Sequence, residues 1–258
     1  MLAFDVTRNS ELRDSARFGI PAHIHACVTA AGSVILDVKR DRYLGLGREE
    51  TQLLADAVPG WPEPFWQRST GRSQRAILQA TNELCESLEA DCVLERIPEG
   101  KEARGVAALR DMRGEWISIG DELEVDGRVT PGRIGHFLAA FCWARYSLAW
   151  RPFSAVVEEV AARKMRGVGG MQRCDIRQLA PIVDVFRRLR PFVFAAEGRC
   201  LLHALTLIRF LSQYQFHPEW VIGVTTQPWG AHSWVQWDQY LLDSNSEKVC
   251  GYTPIMMV

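Results

Sequence analysis

The sequence predicts an α+β protein built in two parts, and three observations predict it. Residues 1–95 open with short β-rich runs and then change to helical periodicity. Residues 133–258 do the reverse, with apolar-striped helices first and strands last, the order that gives a small antiparallel sheet covered by helices. Between them, residues 96–132 are rich in glycine, proline and charge ("IPEGKEARG", "VDGRVTPGR") and read as a linker or irregular region.

In order, "AHIHACVTA" (22–30) alternates and is β-rich, so it is a strand. Ala31-Gly32 is a turn. "SVILDVKRDRYLGLG" (33–47) gives two short strands bent at Lys39-Arg40-Asp41-Arg42 and closed by glycines. In "REETQLLADAVPGW" the residues Leu53, Leu54, Ala57 and Val58 fall at helical spacing, and Pro59-Gly60 stops the helix. A break rich in proline and tryptophan follows. Residues 73–94 form a longer helix striped by Ile77, Leu78, Leu84 and Leu88. In the second part a helix runs to Trp150, breaks at Pro152 and restarts after Ser154. "RGVGGMQRC" (166–174) is a loop, and "DIRQLAPIVDVFRRLRPF" carries a helix ending near Pro191. A helix over 199–215 precedes strands at 220–226, 231–237 and 240–243.

Composition excludes several classes. Thirty basic side chains face 31 acidic ones, for a net charge of −1, so no basic surplus points to nucleic acid. No apolar run reaches membrane-spanning length. The start, "MLAFDVTRNSELRDSARF", lacks the apolar centre of a signal peptide, which predicts a cytoplasmic protein. Seven cysteines with no CxxC pair suggest neither a disulfide framework nor a zinc ribbon.

One cysteine stands apart. In "EGRCLLHALTLIRFL" Cys200 falls at a helix start beside Arg199. Unpaired N–H groups and the helix dipole favour a thiolate there. The bland alternative is a buried cysteine packed with Leu201 and Leu205. A thiol hydrolase also needs a histidine base and a group that orients it. "AHSWVQWDQYLLD" supplies both. His232, Trp234 and Gln236 share one strand face, and a two-residue turn at Asp238-Gln239 pairs Trp234 with Asp243 and His232 with Asn245. His232 and Asp243 then lie on a same-face diagonal, ~7–8 Å apart between Cα atoms. Asp238 caps the turn and is the weaker candidate.

Other groups are weaker candidates. His203 lies one turn along from Cys200 and reads as a packed or rim histidine. His136 and His217 have no acidic neighbour placed by periodicity. His23, His25 and Cys27 alternate on one strand face, but no fourth ligand is placed and the spacing is not that of a zinc module, so no metal is expected. The order Cys-His-Asp implies amide or ester chemistry through a thioester. It leaves peptidase, acyltransferase and deamidase open.

The residues Arg199-Cys200-Leu201, Ile222-Gly223-Val224, Ala231-His232-Ser233-Trp234-Val235 and Asp243 together resemble the lasso-peptide B proteins, the transglutaminase-like (papain-like) cysteine leader peptidases of lasso-peptide biosynthesis. The resemblance covers the last ~70 residues well; the spacing from His232 to Asp243 is one shorter than the family pattern. "VILDVKRDRYLGLG…LLADAV" is similar to the RiPP recognition element, a PqqD-like, winged-helix-like leader-binding domain. That resemblance implies a leader peptide added as a strand beside the third strand and packed on the third helix. The substrate-binding candidates are then Arg42, Tyr43, Leu44 and Leu46 on the strand, with Ile77, Thr81 and Leu84 on the helix; core packing alone explains the helix residues equally well. Trp234 is a further substrate-binding candidate beside His232.

By resemblance, the function is hydrolysis of the leader–core amide bond of a precursor peptide. Cys200 is the nucleophile, His232 the base and Asp243 its orienter. The partners are the precursor leader and an asparagine-synthetase-like lasso cyclase, with no nucleic acid and no membrane. No cofactor is implied for this chain; an ATP requirement of the pair with the cyclase stays open, and the sequence has no GxxxxGK[ST] loop. The rival readings are a non-catalytic leader-binding adaptor and a thiol acyltransferase or deamidase.

Overall fold

The computed structural model describes residues 18–67, 73–98, 116–119, 126–168, 175–194 and 199–258. The chain divides into two compact units, Met1–Ala108 and Leu109–Val258. The N-terminal stretch before Phe18, most of the linker and most of the 166–174 loop lie outside the described residues.

In the first unit, β1 (Phe18–Gly19) pairs antiparallel with β5 (Glu95–Arg96). Strands β2 (Ile24–Thr29), β3 (Gly32–Asp37) and β4 (Arg42–Leu46) form an antiparallel meander in the order β2-β3-β4. The β2–β3 turn needs Gly32, which has φ +140°; a Cβ there would lie 2.0 Å from the Leu46 carbonyl oxygen. The β3–β4 bend is built on Asp37, whose side chain is fully buried. Its carboxylate accepts the N–H groups of Lys39 and Arg40 at 3.1 Å each and faces the guanidinium groups of Arg40 and Arg42. That cluster explains why the run Lys39-Arg40-Asp41-Arg42 bends: one buried carboxylate takes the Lys39 and Arg40 N–H groups and faces both arginines. Both arginines also donate to the Asp91 carbonyl, Arg42 at 3.3 Å, tying the bend to the end of a helix.

Helix α1 (Arg48–Ala57) places Glu49 and Glu50 in its first turn, where they suit the dipole. Helix α2 (Gln74–Ala90) is capped by Ser73, which accepts from the Ala76 N–H at 3.4 Å. It ends four residues before the periodicity suggests. Cys92 turns at φ +54°, and Val93 and Leu94 then enter the core rather than continue the helix. The core of this unit joins Ile24 and Ile35 from the sheet to Leu54 and Val58 from α1 and to Cys85 and Leu88 from α2.

In the second unit, helix α3 (Pro131–Trp150) starts with Thr130 accepting from the Arg133 N–H and Pro131 in the first turn. It stops at Arg151, the residue before Pro152. Helix α4 (Phe153–Val168) follows, then α5 (Ile176–Leu189), capped by Asp175, and α6 (Cys200–Ser212). Helix α6 packs against α3 and α5. Phe137, Phe186 and Phe210 knit these three helices edge-to-face and tilted, with centroids 5.4–6.2 Å apart.

A five-stranded sheet completes the unit: β6 (Ile117–Ser118), β7 (Glu219–Thr226), β8 (Trp229–Trp237), β9 (Tyr240–Leu241) and β10 (Thr253–Met257), in the order β10-β7-β8-β9-β6. All neighbours are antiparallel except β6 with β9. Strands β6 and β10 and the short helix α7 (Ser246–Val249) were not legible as elements; β6 brings part of the expected linker into this sheet. The turn at Asp238-Gln239 has the expected two residues, with Trp237 opposite Tyr240 and Asp238 at φ +52°. No helix of the described residues is long and apolar enough to cross a membrane.

Candidate active site

Cys200 is the first residue of α6 and is partly exposed. Beyond it the helix is almost wholly buried, Leu202 to Ile208 included. Its N-cap, Arg199, makes no side-chain cap hydrogen bond. The Arg199 side chain thus takes none of the first N–H groups of α6, the end of a helix that favours a developing negative charge. Helix α6 packs directly against β8, the strand that carries His232.

His232 is buried at 6 % exposure and lies opposite Gly223 of β7. Its ring stacks on Trp234 (6.0 Å between centroids, 22° between planes) and lies 5.3 Å from the Tyr252 ring. Gly223 makes the stack possible, since a Cβ there would come within 2.7 Å of two Trp234 ring atoms. Burial pushes the His232 pKa down, and the positive charge of Lys248 and the presence of His203 push the same way, against the opposing pull of Asp243. The imidazole is thus biased to the neutral form that can take a proton. Its Nε2 faces the Ser244 hydroxyl at 3.3 Å.

Asp243 occupies the end of the β8–β9 hairpin with its side chain 1 % exposed. Leu242 still donates to the Val235 carbonyl, but the Val235 N–H donates at 2.9 Å to Asp243 Oδ1 instead of a backbone oxygen. Oδ1 also accepts from Ser244 at 3.4 Å. Oδ2 lies 3.3 Å from Nδ1 of His203, so the histidine that touches Asp243 directly is His203, and Ser244 stands between Asp243 and His232. His203 is packed, as its apolar setting predicts, with edge contacts from Phe186 and Phe194 at 5.2 and 5.1 Å. Its Nε2 is buried without a hydrogen-bond partner among the described residues.

The other candidates separate into used and unused groups. Trp234 is fully buried among Val221, Leu241 and Val249, and its indole N–H donates to Gln236. It backs His232 rather than meeting a substrate, because Val249 of α7 and Met257 of β10 pack on the same cluster. Asp238 sits in the turn. In the first unit, Leu44, Leu46 and Leu84 are half-buried against that unit's own core. Thr81 is 8 % exposed and its hydroxyl donates back to the Ile77 carbonyl, so it closes the helix surface instead of offering a hydrogen bond. Arg42 is held by Asp37 and the Asp91 carbonyl. Tyr43 is half-buried on β4, and Ile77 is exposed on α2. His23 lies 3.9 Å from Asp37, and Cys27 is buried with its thiol pushed up to about 12 by desolvation. Ser244 had no signal in the sequence, because its role depends on where the chain leaves the sheet.

The site thus joins a partly exposed thiol at the start of a buried helix to a neighbouring strand that bears a buried histidine, with a buried carboxylate beyond the hairpin. Residues 139–257 match the transglutaminase-like superfamily, so the C-terminal half of the chain holds a transglutaminase-like core domain. No curated protein and no solved structure matches the chain.

Proposed function

We propose that this protein is a leader peptidase of lasso-peptide biosynthesis, in which the first unit holds the leader of a precursor peptide and the transglutaminase-like domain cuts at the leader–core junction. The observation that carries the reading is the partly exposed Cys200 at the uncapped start of α6, packed along the strand that holds His232. His232 takes the thiol proton, and the thiolate attacks the junction carbonyl. The Cys200 N–H, at the helix start, stabilises the oxyanion. The imidazolium then protonates the departing core amine. Water, deprotonated by the same imidazole, hydrolyses the leader thioester. Catalytic hydrogen bonds of this kind tighten when substrate is bound.

Leader capture is supported by β4, which is an edge strand of its sheet. An extended peptide can add its backbone hydrogen bonds there. The half-buried Tyr43, Leu44 and Leu46 and the exposed Ile77 supply apolar contacts beside that edge. An asparagine-synthetase-like cyclase then closes the freed core amine onto a core carboxylate. The test is to incubate the wild type and Cys200→Ala with a precursor peptide and follow core release by mass spectrometry. The reading predicts release by the wild type only, with leader binding retained in the variant. Unchanged release by Cys200→Ala rejects the nucleophile, and transfer to an added amine in place of water turns the assignment to an acyltransferase.

One observation favours a different base. His203, one helical turn from Cys200, is the histidine in direct contact with Asp243. His203→Gln and His232→Gln separate the two: the base is the one whose loss abolishes turnover at every pH.

A further inference from the structure

We propose that Ser244 fixes the tautomer of His232, relaying the orienting effect of Asp243 to the imidazole through its hydroxyl; this rests on the peptidase reading above. Four contacts carry it. Nε2 of His232 lies 3.3 Å from Ser244 Oγ, and Ser244 Oγ lies 3.4 Å from Asp243 Oδ1. The carboxylate is itself fixed from two further sides, by the Val235 N–H on Oδ1 at 2.9 Å and by His203 Nδ1 on Oδ2 at 3.3 Å. With its side chain 1 % exposed, Asp243 has little room to turn elsewhere.

The polarity of this chain follows from what each group can do. A carboxylate only accepts, and a serine hydroxyl has one proton to give. Ser244 therefore donates to Asp243, which leaves an oxygen lone pair toward His232. Nε2 must then carry the hydrogen and donate to Ser244. The other nitrogen, Nδ1, is left with the lone pair and is the basic atom. His203 completes the anchor as an Nδ1–H donor to Oδ2; its ring meets Phe186 and Phe194, and its Nε2 has no hydrogen-bond partner among the described residues. Among the described residues, the charged and titratable groups around His232 include Asp243 past the end of β9, His203 on α6, Lys248 on α7 and Tyr252 after α7.

In the reaction the proton from Cys200 Sγ passes to Nδ1 of His232. The Nε2–H stays on its nitrogen, and the Ser244 proton stays on Ser244. No proton reaches Asp243. Ser244 is a positioning residue: it touches neither substrate nor thiol, and its effect is to keep the lone pair on the correct nitrogen and to support the imidazolium once it forms.

The test uses the full-length chain and needs no substrate. Iodoacetamide alkylation of Cys200 is timed by peptide mapping, with the exposed Cys92, Cys142 and Cys250 as internal references. Ring 15N shifts of His232 are read by NMR above pH 8, where the imidazole is neutral. The expected results are an Nε2–H tautomer in the wild type, a tautomer mixture in Ser244→Ala, and Cys200 alkylation slowed about tenfold in Ser244→Ala, in keeping with loss of one hydrogen bond to an ionic pair. Ser244→Thr, which keeps the hydroxyl, restores both. An Nδ1–H tautomer in the wild type overturns the proposal even if no variant folds. So does Ser244→Ala reacting at the wild-type rate, or Ser244→Ala and Ser244→Thr slowing equally. If His232→Gln alkylates like the wild type, the peptidase reading loses its base, while the tautomer measurement still decides the role of Ser244.

Discussion

Asp243→Ala removes the acceptor on which the hairpin end is built, and its cost can be worked from the contacts. Three donors point at this carboxylate: the Val235 N–H, Nδ1–H of His203 and the Ser244 hydroxyl. Ser244 is partly exposed and can turn to water. Val235 and His203 are buried, and each donor left unpaired there costs about 1–3 kcal/mol. The expected destabilisation is thus about 2–6 kcal/mol, large for a single substitution. Asp243→Asn keeps an oxygen for Val235 but sets an amide N–H against His203, so only one contact is lost and the cost falls to about 1–2 kcal/mol. Urea unfolding at pH 8, followed by circular dichroism, gives the midpoint shifts. Hydrogen exchange at the Val235 amide reads the local contact, and it should quicken strongly in the alanine variant and little in the asparagine one. An alanine variant as stable as the wild type, or one with Val235 exchange unchanged, would refute the reasoning: the carboxylate would then not be the acceptor that closes this hairpin.

Two further predictions follow from the same site. Gly223→Ala drives a methyl into the fully buried Trp234 ring, so melting should report a loss of about 1–3 kcal/mol, the usual cost of overpacking, and the His232–Trp234 stack should shift with it. Stability should also fall as pH drops from 7 to 5. His232, His23 and His217 all have folded-state pKa values held below 6.5, chiefly by burial, so the unfolded chain takes up more protons in that window. The stability they contribute is complete above pH 6.5 and is lost as pH falls through their folded-state values. His232→Gln should flatten the decline, and an unchanged slope would show that His232 is not buried in its neutral form.

The sequence carried the strands and helices of both units because each has a clean period and a physical stop. Pro59-Gly60, Pro152 and the buried acceptor Asp37 end or bend elements for reasons visible in the residue types. The hairpin register around Asp238-Gln239 was equally legible, since a two-residue turn leaves one pairing. What the register could not convey is that the ladder ends before Asp243. Alternation sets His232 and Asp243 on one diagonal, but the Asp243 carboxylate replaces a backbone oxygen for the Val235 N–H, and the chain leaves the sheet. Ser244 thereby reaches His232, and Asp243 meets His203, a contact between residues 40 positions apart that no local pattern encodes. Trp234 illustrates the same limit. Alternation puts its face with that of His232, yet whether the face is open depends on β10 and α7, short elements from a proline-containing tail with little periodicity. On α2, the stripe of Ile77, Leu78, Leu84 and Leu88 looks uniform in sequence, but Ile77 is exposed, Leu78 and Leu84 are half-buried and only Leu88 is buried.

The most direct test of the central claim is covalent trapping. A peptide spanning the leader–core junction, with an electrophile in place of the scissile amide, should label Cys200 and spare the more exposed Cys92, Cys142 and Cys250. Labelling in His232→Gln should be about 100-fold slower or more, the scale of a lost general base. Labelling spread over the exposed cysteines, with Cys200 unmodified, would contradict the account.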